Sequence, residues 1–320
     1  MVGKKTPYDI ATCSSLPAIK GISSWTSRNE QLDSAIKARN GELPEYTIQT
    51  VTQRMGDVLE PVLCEEARSM LGLDSVKVDH EEPVTHPYLP LMGSLDATAV
   101  ANKLFFKNGQ HDWLIIPEQE SITLDGPGVI ECKCTRNTPT NDLEEWRGVL
   151  QAKGLMECTG YGWAAVIVLC QSTDFRINLY SRDPNFKDEL SSIILDFDNR
   201  VKTQTYYPPT TTNDANIVYK NVKKDIISLD HEADKLCDLI QTNKSIIKDM
   251  QQTIEDAEVR LKELIQDSEI GQTNRYMIKW PMINYKAQEQ KIIPAKEARS
   301  VRAKTLRIKQ YGEKNESSVD

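Results

Sequence analysis

The chain has 320 residues, of which 39% are apolar and 27% charged, a composition typical of a soluble protein that buries a core. Its longest apolar run, Trp163–Cys170, is far shorter than the ~20 residues that span a bilayer. The first residues, MVGKKTPYDI, lack the apolar stretch of a signal peptide. Seven scattered cysteines favour free thiols in a reducing compartment, so we expect a cytoplasmic protein without membrane segments.

Charge is distributed unevenly along the chain. The 47 acidic residues outnumber the 39 Lys and Arg, which gives a net charge of −8. Residues 271–312, however, contain ten Lys or Arg and only two acids, a local charge of +8, whereas residues 1–270 carry −14. Because a local basic segment attracts phosphate, the overall acidity does not exclude a nucleic-acid partner.

Two helices are predicted in the first 80 residues. The segment Asp9–Gly21 reads as a turn that enters a short helix, with Ser14 or Ser15 as N-cap and Pro17 in the first turn. A longer helix is predicted over about Thr50–Leu71, followed by Gly72 in the C-cap position. Its expected apolar stripe consists of Val51, Val58, Val62, Leu63, Ala67 and Met70.

Strands dominate the next hundred residues. Prolines at 83, 87 and 90 precede a predicted strand at Leu91–Val100, and a second strand is predicted at Gly128–Cys134. A helix over about Asp142–Cys158 and a fully apolar, central buried strand at 162–170 follow. The alternating segment Phe175–Tyr180 reads as an edge or half-exposed strand. This order predicts an α/β core, with a mixed central sheet flanked by helices.

The chain changes character after residue 205. We predict a core domain at 1–205, a linker at 206–216 around Pro208 and Pro209, a coiled-coil helical segment at 217–270 and a basic segment at 271–320. Between Val222 and Leu264 apolar residues recur at alternating steps of four and three over six heptads, the pattern of a coiled coil. Asn243 is the one polar residue in this repeating apolar pattern. In a coiled coil it could fix the register of the paired helices.

Two arrangements of this helical segment remain open. The unbroken heptad phase favours one long helix, whereas the polar stretch Gln241–Ser245 at its midpoint would suit a two-helix hairpin. The basic segment then opens with Arg275–Pro281, which we predict to form a strand.

Four short motifs contain the residues that could perform chemistry. Glu131 and Lys133 share one face of a predicted strand, where their burial is costly unless they bind a metal ion and a substrate. Taken alone, this pair could equally be a salt bridge on a half-exposed strand. Asp96 could be a turn residue, Glu60 a helix-surface residue and Gln151 an ordinary helix residue.

Together these motifs resemble the PD-(D/E)XK nucleases. The strings and their order are most similar to the lambda-exonuclease or YqaJ-like phage recombination nucleases, and they cover about residues 9–180. The matching strings are Thr12–Leu16, Met55–Pro61, Gly93–Asp96, Ile130–Cys134 and Gln151–Met156. The resemblance implies a restriction-endonuclease-like core, here followed by a long coiled-coil helix and a basic tail.

The resemblance also implies a role for each residue. Asp96 and Glu131 would bind Mg²⁺ or Mn²⁺, with the backbone carbonyl of Cys132 as a further ligand, and Glu60 would hold a second ion. Lys133 would contact the scissile phosphate and orient or deprotonate the attacking water, and Gln151 would position the water or the DNA strand. Ser14 would bind a 5′-terminal phosphate. The remaining candidate DNA-binding residues are Lys5, Lys153, Lys279, Lys286, Lys291, Arg302 and Lys304.

The expected activity is a Mg²⁺-dependent 5′→3′ exonuclease that acts on double-stranded DNA and exposes a 3′ strand for a single-strand annealing protein. Such an enzyme would be phage- or prophage-encoded and homo-oligomeric. One departure concerns the end preference, because Lys4 and Lys5 stand where the family has an arginine with a bidentate fork. Two alternatives remain, an endonuclease or structure-specific nuclease with the same metal site, and a non-catalytic coiled-coil DNA-binding scaffold.

Overall fold

The computed structural model describes residues 6–42, 50–78, 80, 82–137, 143–221 and 223–283. Contacts divide the chain into two compact units, residues 1–220 and 221–320, which are described separately. Within the described ranges, every helix is too short or too polar to cross a membrane.

A mixed six-stranded sheet forms the centre of the first unit. In chain order, the described strands of this unit are β1 (Ala11–Thr12), β2 (Ser75–Val78), β3 (Val84–Thr85), β4 (Leu91–Gly93), β5 (Ala97–Lys107), β6 (Leu114–Ile115), β7 (Ser121–Thr135), β8 (Trp163–Cys170) and β9 (Asp174–Ser181). The large sheet has the order β2-β5-β7-β8-β9-β6, and β1-β4-β3 form a small sheet beside it. Strand β7 is parallel to β8, and β6 is parallel to β9, while the other pairs of the large sheet are antiparallel. The predicted mixed sheet is therefore confirmed.

Helices cover both faces of this sheet. They are α1 (Leu16–Lys20), α2 (Arg28–Arg39), α3 (Val51–Leu71), α4 (Leu150–Thr159), α5 (Phe186–Thr203) and α6 (Thr212–Val218). The buried strand β8 sends Val166 and Val168 towards α1, α2, α4 and α5, and it sends Ala165 and Ile167 towards α3. This division into two apolar layers explains why β8 is apolar on both sides, as its sequence predicts.

Helix α3 begins and ends where the sequence predicts. The Thr50 hydroxyl accepts the backbone N–H of Gln53 at 3.2 Å, and Gly72 closes the helix in the left-handed region at φ 68°. The predicted apolar stripe is only partly correct. Its members Val51, Val58 and Val62 are exposed, and the buried side of α3 consists of Leu63, Cys64, Ala67 and Leu71.

The segment predicted as one strand, Leu91–Val100, is two strands in different sheets. The break falls at residues 94–96, between β4 and β5. A side chain at Gly93 would lie 2.4 Å from Leu155 and 2.8 Å from the Cys13 sulfur, so only glycine lets β4 pack this closely against the core. The turn that follows places Asp96 at the entrance of β5.

Strand β9 is not the edge or half-exposed strand that its alternating sequence predicts. It lies between β8 and the two-residue strand β6, and its residues 177–180 are buried. The polar residue that suggested exposure, Asn178, is only 2% exposed, and its amide donates to the carbonyl of Val166 at 3.3 Å. The Oδ1 atom of the same amide is buried without a hydrogen-bond partner. A buried amide that is only half satisfied therefore imitates a solvent-facing position in the sequence.

The segment predicted as a linker, 206–216, packs against the first unit. Tyr207 is buried, and the Tyr206 hydroxyl donates to the carboxylate of Asp33 at 2.6 Å. Asp214, in α6, is only 1% exposed and accepts hydrogen bonds from Ser27 at the start of α2. These contacts place residues 206–216 within the first compact unit.

One continuous helix, α7 (His231–Ile265), dominates the described part of the second unit. The Asp230 side chain caps it, and no break occurs at Gln241–Ser245, so the single-helix arrangement is confirmed over this range. Residues 223–230, which the heptad pattern includes, are not helical. A hairpin of β10 (Ile270–Gln272) and β11 (Met277–Lys279) follows, which confirms part of the predicted strand. Pairing of α7 with another helix stays a prediction.

Candidate active site

One lysine joins the acidic strand to the neighbouring helix. The Lys133 Nζ atom on β7 donates to the Oε1 atom of Glu131 and, over 3.3 Å, to the Oε1 atom of Gln151 on α4. The Glu131 side chain is fully buried, and that of Lys133 is 32% exposed. Glu131 and Lys133 thus form the salt bridge that the alternative interpretation of their motif predicted. The carboxylate of this salt bridge, however, lies inside the protein and not on a half-exposed strand.

Asp96 is fixed to the same strand through the backbone. Its Oδ2 atom accepts the N–H of Cys132 at 2.9 Å, a bond that becomes possible because the chain turns between β4 and β5. Two carboxylates, one from the turn before β5 and one from β7, therefore lie beside one lysine. The thiol of Cys132 points to the other face of the sheet, where its sulfur lies 3.5 Å from that of Cys64 on α3.

The electrostatics of this group show the cost of burial. Burial, and then the negative charge of nearby Asp96, raise the pKa of Glu131 well above its ordinary value. Burial alone would lower the pKa of the Lys133 ammonium, but the charges of Glu131 and Asp96 outweigh it and raise that pKa. Lys133 is therefore firmly protonated, and it acts as a cation in this arrangement.

A small cavity of about 200 Å³ opens beside these residues. Its walls include Glu60 and Asp57 from α3, together with Asp96 and Lys133. The structure thus brings Glu60 to the cavity that two other predicted catalytic residues, Asp96 and Lys133, also border. Within the described ranges, however, no three His, Cys, Asp or Glu side chains converge closely enough to hold a metal ion as they stand.

Two features of this group of carboxylates fit a divalent cation. The Oε2 atom of Glu131 is buried and has no hydrogen-bond partner, although a buried carboxylate oxygen normally has one. The candidate side-chain donors, Glu60, Asp96 and Glu131, are all carboxylates, the ligands that hard cations such as Mg²⁺ prefer. A cation here would offset the repulsion that raises the pKa of Glu131.

A larger groove of about 840 Å³ shares Lys133 and Cys134 with the small cavity. Its walls also include Ser14 and Gln151, so the predicted 5′-phosphate residue and the predicted positioning residue border one continuous space. Ser14 is exposed, and its hydroxyl lies 3.1 Å from that of Thr12. The neighbouring Ser15 is the N-cap of α1, and Pro17 lies in the first turn of that helix, as predicted.

One wall of this groove contains a kink in the helical segment that precedes Gln151. The helix predicted over about Asp142–Cys158 is a π-helical turn at Glu145–Val149 followed by α4, and Asp142 lies outside the described residues. The break occurs at Arg147 and Gly148, whose φ is 91°. A side chain at Gly148 would lie 3.2 Å from the Cε atom of Lys133, so this glycine provides the space in which the lysine reaches Gln151.

Lys153 and Lys279 are the remaining predicted DNA-binding residues that the structure describes. Lys153 forms an ion pair with Glu118 at 2.5 Å and borders neither the cavity nor the groove. Lys279 belongs to β11 in the second unit. Lys5, Lys286, Lys291, Arg302 and Lys304 lie outside the described residues. Their roles therefore stay predictions.

The structure adds residues that the motifs did not indicate. Trp25, Trp146 and Arg147 line the groove, and Asp57 lines the cavity. Two signals in the sequence point towards them. Trp25 follows the polar pair Ser23-Ser24, and Gly148 interrupts a predicted helix where an ordinary helix disfavours glycine.

Solved structures that are similar to this chain include two exonucleases. An alkaline exonuclease from Laribacter hongkongensis is 17% identical, with 62% of this chain and 90% of that chain covered and a TM-score of 0.44. The same values hold for that enzyme in complex with dAMP. A phage-related exonuclease from Haemophilus somnus is 13% identical, with 61% and 96% covered and a TM-score of 0.37. No protein-family model matches the chain, and no curated protein sequence is similar to it.

Proposed function

We propose that this chain is a metal-dependent deoxyribonuclease that degrades double-stranded DNA from its ends in the 5′→3′ direction. The observation that carries the proposal is the contact of the Lys133 ammonium with both Glu131 and Gln151, beside an Asp96 anchored to the same strand. Hydrolysis of a phosphodiester needs this combination, because negative charge accumulates on the phosphate oxygens in the transition state.

The metal site in this proposal consists of oxygen atoms from three elements. Asp96 and Glu131 are the central ligands, the carbonyl of Cys132 adds a third oxygen, and Glu60 holds a second ion from the wall of the cavity. Bound Mg²⁺ or Mn²⁺ stabilises developing charge and makes water a stronger nucleophile at neutral pH.

The remaining roles follow from charge and hydrogen bonding. Lys133 is held as a cation by two carboxylates, so it neutralises the scissile phosphate and orients the attacking water. The raised pKa favours this role as a charged contact over the role of a general base. Gln151 holds the ammonium of Lys133 in place and positions the water or the DNA strand.

The continuity of the groove supports attack at a DNA end. Ser14 borders the same space as Lys133 and Gln151, so a strand whose 5′-phosphate contacts Ser14 would extend towards the metal site. Such binding would set the direction of digestion and leave a 3′ single strand. That product is the substrate of a single-strand annealing protein, which we therefore propose as the partner, in the cytoplasm of a phage host.

Self-association is the second part of the proposal. Apolar side chains along α7 are exposed in the single chain, among them Leu236, Ile247, Ile254 and Leu264. A stripe of this kind normally packs against another helix. Light scattering of the purified chain should therefore give a mass above the 36.3 kDa of the monomer.

The activity is tested by digesting end-labelled linear duplexes and closed circular DNA with Mg²⁺ and with EDTA. We expect linear DNA to be degraded only with the metal and the circle to be spared. Glu131→Gln should abolish digestion, whereas Glu120→Gln, an exposed position outside the cavity, should retain it. Cutting of the circle would favour the endonuclease alternative. Digestion by Glu131→Gln at the wild-type rate would refute the proposed site.

A further inference from the structure

Two tryptophans stand together at the groove. The ring centroids of Trp25 and Trp146 are 6.3 Å apart, in an edge-to-face arrangement with an interplanar angle of 76°. Trp25 is 81% exposed, whereas Trp163 in the core is 2% exposed. A pair with one strongly exposed indole, in a groove that leads to the catalytic residues, is a candidate ligand surface.

Local structure holds both rings in place and leaves Trp25 largely uncovered. The Ser23 hydroxyl accepts the backbone N–H groups of Trp25 at 3.2 Å and Thr26 at 3.3 Å, which forms a tight turn under the indole. Trp146 projects from the π-helical turn, and the Arg147 guanidinium lies 4.5 Å from its ring centroid. One face of Trp146 is thus covered by a cation, while most of Trp25 faces solvent.

The charge of the groove identifies the class of ligand. Its described walls include three basic residues, Lys133, Arg136 and Arg147, and one acid, Glu144. Aromatic faces beside a cationic surface suit a polynucleotide, because bases stack on indoles while phosphates contact the cations. A space of about 840 Å³ falls in the range that holds a nucleotide-sized ligand.

We propose that Trp25 and Trp146 form a stacking subsite for an unpaired nucleobase at the end of the DNA strand being digested. This inference rests on the proposed function and adds to it a preference for frayed ends or ends with an unpaired base. A paired nucleotide inside a duplex has both faces covered by its neighbours, and pairing holds a terminal one in line with the helix. An unpaired base is free to turn onto Trp25, so stacking there favours the strand that has separated from its complement.

The test measures binding, so it does not depend on cleavage. The full chain carrying Glu131→Gln is titrated against duplexes with a fluorophore at the far end and two unpaired 5′ nucleotides at the near end. The unpaired positions carry either normal bases or abasic sugars. We expect the parent to prefer bases by about tenfold, Trp25→Ala to lose this preference, and Trp25→Phe to recover much of it. Tyr88→Ala removes an aromatic that is 84% exposed outside the groove, and it should change nothing.

The outcomes separate this inference from the nuclease proposal. If the wild type digests linear DNA while Trp25→Ala keeps the parent's preference for bases, the stacking subsite is refuted and the nuclease stands. An equal loss of affinity for base-bearing and abasic ends would also refute it, because the tryptophan would then act on the backbone alone. If the wild type neither digests nor binds DNA, both proposals fail.

Discussion

Gly148→Ala tests how the site is assembled. The residue has φ 91°, where a side chain costs about 1–2 kcal/mol. The added methyl would also lie 3.2 Å from Cε and 3.3 Å from Cγ of Lys133, and 3.2 Å from Val166. Because Val166 is buried in the sheet, the flexible lysine is the neighbour that must move. We expect its ammonium to lose its alignment with Gln151, and cleavage to slow by at least about tenfold.

Gly160→Ala provides a matched control. Gly160 ends the same helix at φ 75°, but nothing lies within 4 Å of its added methyl. Both variants should therefore lose about 1–2 kcal/mol, a fall in melting temperature of roughly 2–8 °C for a unit of this size. Only Gly148→Ala should impair the initial rate of digestion of an end-labelled duplex, measured well below either melting temperature. Equal rates for the two variants would show that Gly148 is needed for the backbone alone and would refute the positioning of Lys133.

Three further predictions concern the DNA end, the pH and the basic segment. Ser14→Ala should reduce the preference for 5′-phosphorylated over unphosphorylated ends by about tenfold, because a hydrogen bond to a charged group is worth about 1.5–3 kcal/mol. The control variant Ser34→Ala, on the exposed side of α2, should leave this preference unchanged. Burial would raise the pKa of Asp214, but hydrogen bonds from Ser27 and Thr210 lower it. The ionised Asp214 carboxylate therefore stabilises the fold fully above the ordinary carboxyl pKa, and this stabilisation is lost as the pH falls through the lowered pKa. The urea concentration at the midpoint of unfolding should decline below about pH 4 in the wild type and less steeply in Asp214→Asn. Parallel curves for the two proteins would contradict this. Finally, three lysines of the basic segment can be replaced by alanine, namely Lys286, Lys291 and Lys304. The slope of the logarithm of the DNA-binding constant against the logarithm of the salt concentration should then become less steep by about 2–3. An unchanged slope would assign the basic segment to another partner.

Local patterns predicted most of the regular elements, since they depend on contacts close in sequence. The capping threonine and closing glycine of α3, the apolar strand β8 and the heptads of α7 are all properties of neighbouring residues. The edge assignment of β9 was wrong because Asn178 is buried and its amide donates to a carbonyl of β8, a partner that alternation of polarity does not reveal. The packed segment 206–216 differs from a linker for the same reason, since Asp214 binds Ser27, which lies 187 residues earlier in the chain.

For the candidate site, the residue types and their order were readable from the chain, because metal and phosphate chemistry requires carboxylates and a lysine in any fold that performs it. Their arrangement was not readable. Only the turn between β4 and β5 brings Asp96 to the backbone of Cys132, and only the kink at Gly148 opens space for Lys133 to reach Gln151. The groove tryptophans, Trp25 and Trp146, come from segments more than a hundred residues apart. Sequence alone therefore determined which side chains this protein has for chemistry, and the tertiary structure decided which of them meet, because contacts between distant segments depend on how the sheet and its helices pack.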